Sequence, residues 1–369
     1  MTNKTLIIMA GGTGGHVFPA LAVARYLADK GWTIRWLGTE KGMEVKLVSP
    51  HYPMDFITIQ GLRGKGLRSW LTAPFRILRA IHEAMNVFKQ QKPDVVLGMG
   101  GFVTGPGGVA ARLLGIPLVI HEQNAVAGMT NKLLAPLAAS VCESFPHTIN
   151  SKHVHTTGNP VRADIVALPT PDIRFAGRQG PLRLLVLGGS LGAKAINEMV
   201  PQALGHMCKR AKHLSPLQYS VWHQTGAQHL EATIEQYKAA GVEGRVVPFI
   251  DNMAEAYGWA DLVICRAGAL TIAELIASGL SAILIPYPLA VDDHQTYNGQ
   301  SLVAAQSAWI IPQSQLTSEG LAEHLRVHMS NRDTLLARAL AARALQTNDA
   351  TARVAAECEG VIHAKGRDQ

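Results

Sequence analysis

The chain has 369 residues, 47% of them hydrophobic and 17% charged. That is long enough for two cores and too ordinary in composition for a disordered or low-complexity protein. Four scattered cysteines (Cys142, Cys208, Cys265, Cys358) contain no C-x-x-C pair, which argues against a disulfide framework or a zinc site and for a reducing compartment. The formal net charge of +7 favours an anionic partner: nucleic acid, anionic lipid or a phosphorylated substrate.

The first apolar run, Leu6 to Ala10, goes straight into a glycine turn with no small-residue cleavage site behind it, so it reads as a strand and not as a signal peptide. No stretch approaches the roughly 18 unbroken apolar residues of a spanning helix. Strands are predicted at 6–10, 33–38, 55–59, 95–98, 118–121, 140–143 and 155–157. Helices are predicted at 19–30, 42–49, 72–91, 103–114 and 127–135. Short apolar strands between longer amphipathic stretches predict a parallel sheet covered on both faces. Proline and glycine then crowd residues 163–181, which read as a linker. Alternation resumes, with strands predicted at 182–187, 219–224, 246–248, 262–265 and 282–285. Helices are predicted at 194–205, 228–240, 253–258, 270–278 and 293–306. Residues 333–363 are alanine-rich and read as helix.

Both halves open alike. Leu6–Ala10 leads into Gly11-Gly12-Thr13-Gly14-Gly15-His16, and Leu184-Leu185-Val186-Leu187 leads into Gly188-Gly189-Ser190-Leu191-Gly192-Ala193. A strand, a glycine turn and a helix form an anion site, because the N–H groups of the first helical turn have no intrahelical partner. The dinucleotide fingerprint is not met: its third glycine position is Val17, and Arg35-Trp36-Leu37 ends the next strand without a carboxylate for a ribose. His16 stands at the start of a helix, where the dipole disfavours the imidazolium. It is either a general base or a residue that only hydrogen-bonds substrate or backbone.

Gly98 to Gly108 is a second glycine-dense segment, and Gly100 and Gly101 are positions where backbone can approach a ligand closely. His121-Glu122-Gln123-Asn124 ends an apolar strand, where the carboxyl ends of a parallel sheet line a site; merely solvated polar residues are the alternative. In the segment Arg266 to Glu274, Gly268 turns into a helix whose N-terminus can hold a diphosphate without a metal, and Glu274 can accept two ribose hydroxyls. Asp292-Asp293-His294 reads as helix capping in preference to a metal site. From Gln60 to Arg79, cations (Arg63, Lys65, Arg68, Arg76, Arg79) interleave with Trp70, Leu71 and Phe75. That pattern is either a membrane-interface patch or an amphipathic helix with its apolar face in the core.

Six segments carry a resemblance that covers nearly the whole chain: GGTGGHVFPALAVA at 11–24, GMGGFVTGPGG at 98–108, HEQNAVAG at 121–128, TGNPVR at 157–162, GGSLGA at 188–193 and RAGALTIAEL at 266–275. In this order they resemble the family 28 glycosyltransferases that build the lipid-linked precursor of the bacterial cell wall. The resemblance implies an α/β fold of the GT-B type, two Rossmann-like domains with parallel sheets facing a deep cleft. The expected division is an acceptor-binding, membrane-associating domain over 1–162, the linker over 163–181, a UDP-sugar domain over 182–340, and a terminal helix over 341–369 that returns to the first domain.

The resemblance further implies an inverting transfer of N-acetylglucosamine from UDP-N-acetylglucosamine to the 4-hydroxyl of an undecaprenyl-diphosphate-linked muramyl-pentapeptide. The expected place is the cytoplasmic face of the cell membrane, on its anionic leaflet, with no cofactor, metal or nucleic acid. His16 matches the base. Thr13, Gly14, Gly15, Asn124, Arg162, Ser190 and Gln295 match donor contacts, and Ile250 matches the residue whose backbone receives the uracil. Ala269, Leu270, Thr271, Ile272 and Ala273 match the diphosphate turn, with Glu274 on the ribose. Gly100, Gly101, His121 and Glu122 are acceptor-side candidates, and Arg68, Trp70, Leu71, Phe75, Arg76 and Arg79 the membrane patch. Phe102 stands where many members carry tyrosine, so no role is assigned to it. Two other functions stay in view: a UDP-N-acetylglucosamine 2-epimerase on the same fold, which would need no lipid, and a basic nucleic-acid-binding protein, for which no recognition motif is present.

Overall fold

The computed structural model describes residues 4–59, 67–189, 192–211, 219–328, 331–347 and 349–365, with backbone alone at 67–71, 209–211, 291 and 364–365. The chain divides into two compact units, residues 1–162 with 347–369, and residues 163–346.

In unit 1 the chain runs β1 (Thr5–Ala10), α1 (Gly14–Asp29), β2 (Thr33–Gly38), α2 (Met43–Val48), β3 (Met54–Phe56), α3 (Leu67–Gln91), β4 (Val95–Gly100), α4 (Thr104–Leu113), β5 (Leu118–Glu122), α5 (Met129–Leu134), β6 (Ser140–Glu143) and β7 (Val154–Thr156). All pair in parallel, in the order β3-β2-β1-β4-β5-β6-β7. Alternation along β1 divides the core. Leu6, Ile8 and Ala10 pack with Val17, Ala20, Leu21 and Ala24 of α1. Ile7 and Met9 pack with Ala80, Ala84 and Phe88 of α3 and with Ala110 and Ala111 of α4. A strand buried on both faces reads as an unbroken apolar run, which is what β1 shows.

Helix α1 begins five residues before the predicted start. Pro19 looks like a first-turn proline but lies inside the helix. It removes one backbone donor, while Val17, Ala20, Leu21 and Ala24 bury enough apolar surface to hold the helix together. The earlier start brings His16 into the first turn.

Unit 2 begins where the linker was expected. It contains α6 (Ala163–Val166), α7 (Pro171–Phe175), β8 (Leu182–Leu187), α8 (Lys194–Ala211), β9 (Tyr219–Gln224), α9 (Leu230–Ala240), β10 (Arg245–Val247), α10 (Met253–Trp259), β11 (Leu262–Cys265), α11 (Ala269–Ser278), β12 (Ser281–Leu284), α12 (His294–Ala304), β13 (Ala308–Ile310), α13 (Ser318–His328) and α14 (Arg332–Ala344). The parallel sheet has the order β10-β9-β8-β11-β12-β13. Residues 163–181 are built into this unit. Arg174 is buried and donates to the carbonyls of Pro169, Tyr257, Ser278 and Gly279, so a guanidinium closes the carboxyl end of α11.

The alanine-rich end is two helices. Asn331 Oδ1 accepts from the amides of Asp333 and Thr334 and caps α14. Asp349 Oδ1 accepts from the Ala352 amide and starts α15 (Ala350–Lys365). Helix α14 belongs to unit 2, whereas α15 adds Val354, Ala355 and Cys358 to the unit 1 core beside α1.

Candidate active site

The first glycine loop holds His16 by its ring. Nδ1 lies 3.2 Å from the Gly11 carbonyl oxygen and 3.4 Å from Thr13 Oγ1. A carbonyl only accepts, so Nδ1 carries a proton, and in the neutral form of the ring the lone pair falls on Nε2. A Cβ on Gly100 would lie 2.6 Å from His16 Cδ2, and one on Gly101 2.4 Å from the Gly11 carbonyl oxygen. With φ of +103° and +88°, both positions also need glycine for the backbone itself. The glycines at 100 and 101, expected near the acceptor, thus make room for the imidazole and the first loop. Thr13 is the residue before α1, and Gly14 and Gly15 form its first turn. Arg162 rests over the Phe18 ring of α1 at 5.1 Å.

Glu44 escaped the sequence reading. Its carboxylate is 1% exposed and accepts from the Gly12 amide at 3.3 Å, the Thr39 amide at 3.0 Å and Thr39 Oγ1 at 2.9 Å. Nothing local marks it: it looks like one acidic residue in a short amphipathic helix. A cavity of about 640 Å³ opens beside this loop, lined in part by Gly11, Gly12, Lys41, Thr58 and Phe102.

His121 and Glu122 do not line that cavity. His121 is fully buried, with Nε2 2.9 Å from the Gly158 carbonyl oxygen. Burial lowers its pKa. Glu122 Oε1 accepts from the Asn124 amide and Nδ2, and its Oε2 from the Gly128 amide and Asn131 Nδ2. The His121 ring thus ties the end of β5 to the backbone at Gly158, while Glu122 braces the 122–131 segment and sets the conformation of Asn124.

In unit 2, Gly268 precedes α11, and the amides of Ala269, Leu270 and Thr271 form its open first turn, with no acidic side chain there. Ile272 and Ala273 continue that helix into the fold. Glu274 is 5% exposed, and Tyr257 Oη donates to its Oε2 at 3.0 Å. Asn298 Nδ2 donates to the Ala267 carbonyl and fixes the turn from α12. The Ile250 amide donates to Gln224 Oε1 at 2.9 Å, so its N–H is occupied. Gln295 Oε1 accepts from the Tyr287 amide. Asp293 is not a conventional cap: it sits in the left-handed region with Asp292 and accepts from Thr296 Oγ1 instead of a backbone amide. Tyr257, Gln224 and Asn298 were missed because each acts through a partner distant in sequence.

A buried hydrogen-bond chain ties α8 to β9 and α9. Asn197 Nδ2 donates to the Thr225 carbonyl, which leaves Oδ1 to accept from His223 Nε2 at 3.0 Å; His223 Nδ1 then accepts from Tyr237 Oη. Burial holds the His223 pKa down at about 3. Ser190 lies outside the described residues, as do Arg63 and Lys65.

On α3, Phe75 is 77% and Leu78 63% exposed, and Arg76 and Arg79 are exposed with them, while Ala73, Ala80, Ala84 and Phe88 face the core. The side chains of Arg68, Trp70 and Leu71 lie outside the described residues. Leu113 of α4 and Met129 and Leu133 of α5 are exposed as well, and α3 packs on α4 and α4 on α5. Among the described residues, no helix is long and apolar enough to cross a membrane.

Two parallel α/β units, each with a glycine turn feeding a helix, define a two-domain fold of the Rossmann type. Residues 6–143 match the glycosyltransferase family 28 N-terminal domain and residues 183–354 its C-terminal domain. The chain belongs to glycosyltransferase family 28. It is 52% identical over 358 residues to a protein from Marinobacter nauticus, covering 96% of this chain and 97% of that one. That protein is named UDP-N-acetylglucosamine--N-acetylmuramyl-(pentapeptide) pyrophosphoryl-undecaprenol N-acetylglucosamine transferase. The crystal structure of Acinetobacter baumannii MurG is similar, with a TM-score of 0.80 and 43% identity over 97% of this chain and 99% of that one. A putative UDP-N-acetylglucosamine 2-epimerase from Listeria monocytogenes shares the fold at 14% identity, with a TM-score of 0.66 over 98% of this chain and 97% of that one.

Proposed function

We propose that this enzyme transfers N-acetylglucosamine from UDP-N-acetylglucosamine to the 4-hydroxyl of the muramyl sugar on undecaprenyl-diphosphate-linked muramyl-pentapeptide, releasing UDP and inverting the anomeric carbon. The observation that carries the reading is the near-full-length identity to transferases of that name.

His16 is the general base in this reading. Its Nε2 lone pair removes the acceptor proton as the hydroxyl attacks, in a single displacement without a glycosyl-enzyme intermediate. Negative charge grows on UDP as the glycosidic bond breaks, and the amides of the 269–271 turn stabilise it. Glu274, oriented by Tyr257, accepts from the ribose hydroxyls, and the Ile250 carbonyl faces the uracil. Thr13, Gly14, Gly15, Asn124, Arg162, Ser190 and Gln295 complete the donor contacts. The cavity beside Gly12 and Phe102 takes part of the acceptor.

The lipid tail of the acceptor requires access to a bilayer. Exposed Phe75, Leu78, Leu113, Met129 and Leu133, with Arg76 and Arg79 among them, suit the anionic cytoplasmic face of the cell membrane. A transfer assay with labelled UDP-N-acetylglucosamine and a short-chain lipid-linked acceptor tests the reading. The expected result is label in the lipid product. Conversion of the donor to its manno epimer without transfer would overturn it in favour of the epimerase.

A further inference from the structure

We infer that Glu44 is the positioning residue for His16, acting through the single peptide group that joins Gly11 to Gly12. The Gly12 amide donates to Glu44 Oε2, and the Gly11 carbonyl accepts from His16 Nδ1. These two groups belong to one peptide plane, in which a trans bond points N–H and C=O in opposite directions. Anchoring the N–H end therefore aims the C=O end. The aimed carbonyl places the imidazole proton on Nδ1 and leaves the lone pair on Nε2, the arrangement a general base needs. The other tautomer would set two lone pairs against each other at 3.2 Å.

The rest of the environment is built around that carboxylate. A Cβ on Gly11 would come within 2.9 Å of Glu44 Oε1, and one on Gly42 within 2.1 Å of the same atom. Thr39 pins Oε1 with its amide and its hydroxyl. Glu44 thus acts as a resident anion for the first glycine loop, and its charge polarises the peptide toward the histidine. A carboxamide cannot replace it. In a Glu44→Gln variant whose amide oxygen faced Thr39, the NH2 group would face the Gly12 N–H. The peptide relieves that clash by turning over, which glycine at φ +93° permits. The turned peptide offers N–H to His16 Nδ1 and moves the imidazole proton to Nε2.

The inference rests on His16 being the base, and its test reads the tautomer without turnover, so the two ideas fail separately. Nitrogen-15 NMR of histidine-labelled enzyme, with His16 assigned from the spectrum of His16→Ala, is expected to show Nδ1–H in the wild type. Glu44→Gln should convert His16 to Nε2–H, lower kcat at least about tenfold and leave the donor KM within about twofold, since base catalysis carries about 10²–10⁴. Glu44→Asp, which keeps the charge, should restore Nδ1–H and most of kcat. A wild-type Nε2–H ring, or a folded Glu44→Gln protein with unchanged His16 signals, overturns the inference. Should Glu44→Gln not fold, Thr39→Val decides: loosening the carboxylate must move the Gly12 amide and His16 nitrogen signals together. A shifted Gly12 amide with His16 unmoved rejects the relay. If the tautomer responds as expected but His16→Ala retains turnover, the base assignment fails and the relay stands.

Discussion

Tyr257 and Glu274 meet inside unit 2 through a hydrogen bond of 3.0 Å from the phenol to the carboxylate. Tyr257 is 1% exposed, so the phenol fixes the carboxylate from within the fold. Glu274→Ala is expected to weaken UDP-N-acetylglucosamine binding more than about tenfold without altering acceptor binding. Tyr257→Phe should give a smaller loss in the same direction, because a hydrogen bond to a charged group is worth about 1.5–3 kcal/mol and the carboxylate itself survives. Calorimetric titration with UDP checks both. Unchanged donor affinity in Glu274→Ala would remove its ribose role.

His16→Ala should lower turnover by about 10²–10⁴ while UDP binding stays within about twofold. Single-turnover kinetics with saturating donor isolates the chemical step. A loss below about tenfold would end the base assignment.

Arg174 donates to four carbonyls from one buried head group. Burial, followed by the neighbouring charges of Arg178 and Arg343, lowers its pKa to about 10, so it remains charged at neutral pH. Replacing it with methionine strands those carbonyls and uncovers the end of α11. The expected cost is about 2–4 kcal/mol, since an unsatisfied buried polar group costs about 1–3. Urea unfolding followed by circular dichroism measures it, and a loss under about 1 kcal/mol would mean that water replaces the guanidinium.

His223 makes stability depend on pH. Its ordinary value is 6.5, and burial lowers it to about 3 in the folded protein. Between these values the unfolded chain takes up a proton that the folded chain refuses, so stability falls as pH falls through that window. The limiting slope is about 1.4 kcal/mol per pH unit. His223→Gln can keep both hydrogen bonds of the ring and does not titrate. Its unfolding free energy should fall less steeply than the wild type's from about pH 6.5 to 4; equal slopes would exclude His223 as the source.

Phe75 and Leu78 are exposed, so changing both to serine should leave the unfolding midpoint within about 2 °C. Co-sedimentation with vesicles containing anionic lipid should fall at least about tenfold, because each buried side chain of this size contributes about 1.5–3 kcal/mol. Unaltered sedimentation would move the membrane contact elsewhere.

How far the sequence was legible follows from the range of each interaction. β1 and β8 stand out because Leu6–Ala10 and Leu184–Leu187 are unbroken apolar runs that lead into glycine. The turn at Gly268 and the carboxylate of Glu274 could be read because they lie within six residues of one another. Glu44, Gln224 and Tyr257 could not, because each works on a partner at least 17 residues away in the chain or on a loop that follows another strand. Composition also misled where a single contact outweighed it. Residues 163–181 carry linker-like proline and glycine, yet Arg174 ties them to α11. The terminal segment reads as helix throughout because alanine marks both sides of the break, while α15 starts on the carboxylate of Asp349, in the left-handed region.

The return of α15 to α1 sets an order on biosynthesis. Val354, Ala355 and Cys358 belong to the same apolar cluster as Leu6 and Ile8, although more than 340 residues of chain separate them. While the ribosome is still making unit 2, unit 1 has its sheet but an uncovered flank along α1. An amino-terminal fragment ending at Arg162 would keep that flank bare and so tend to aggregate, whereas unit 2 is continuous in sequence and contains every strand of its own sheet. Truncation of the last helix therefore injures the first domain made, not the one that precedes it in the chain.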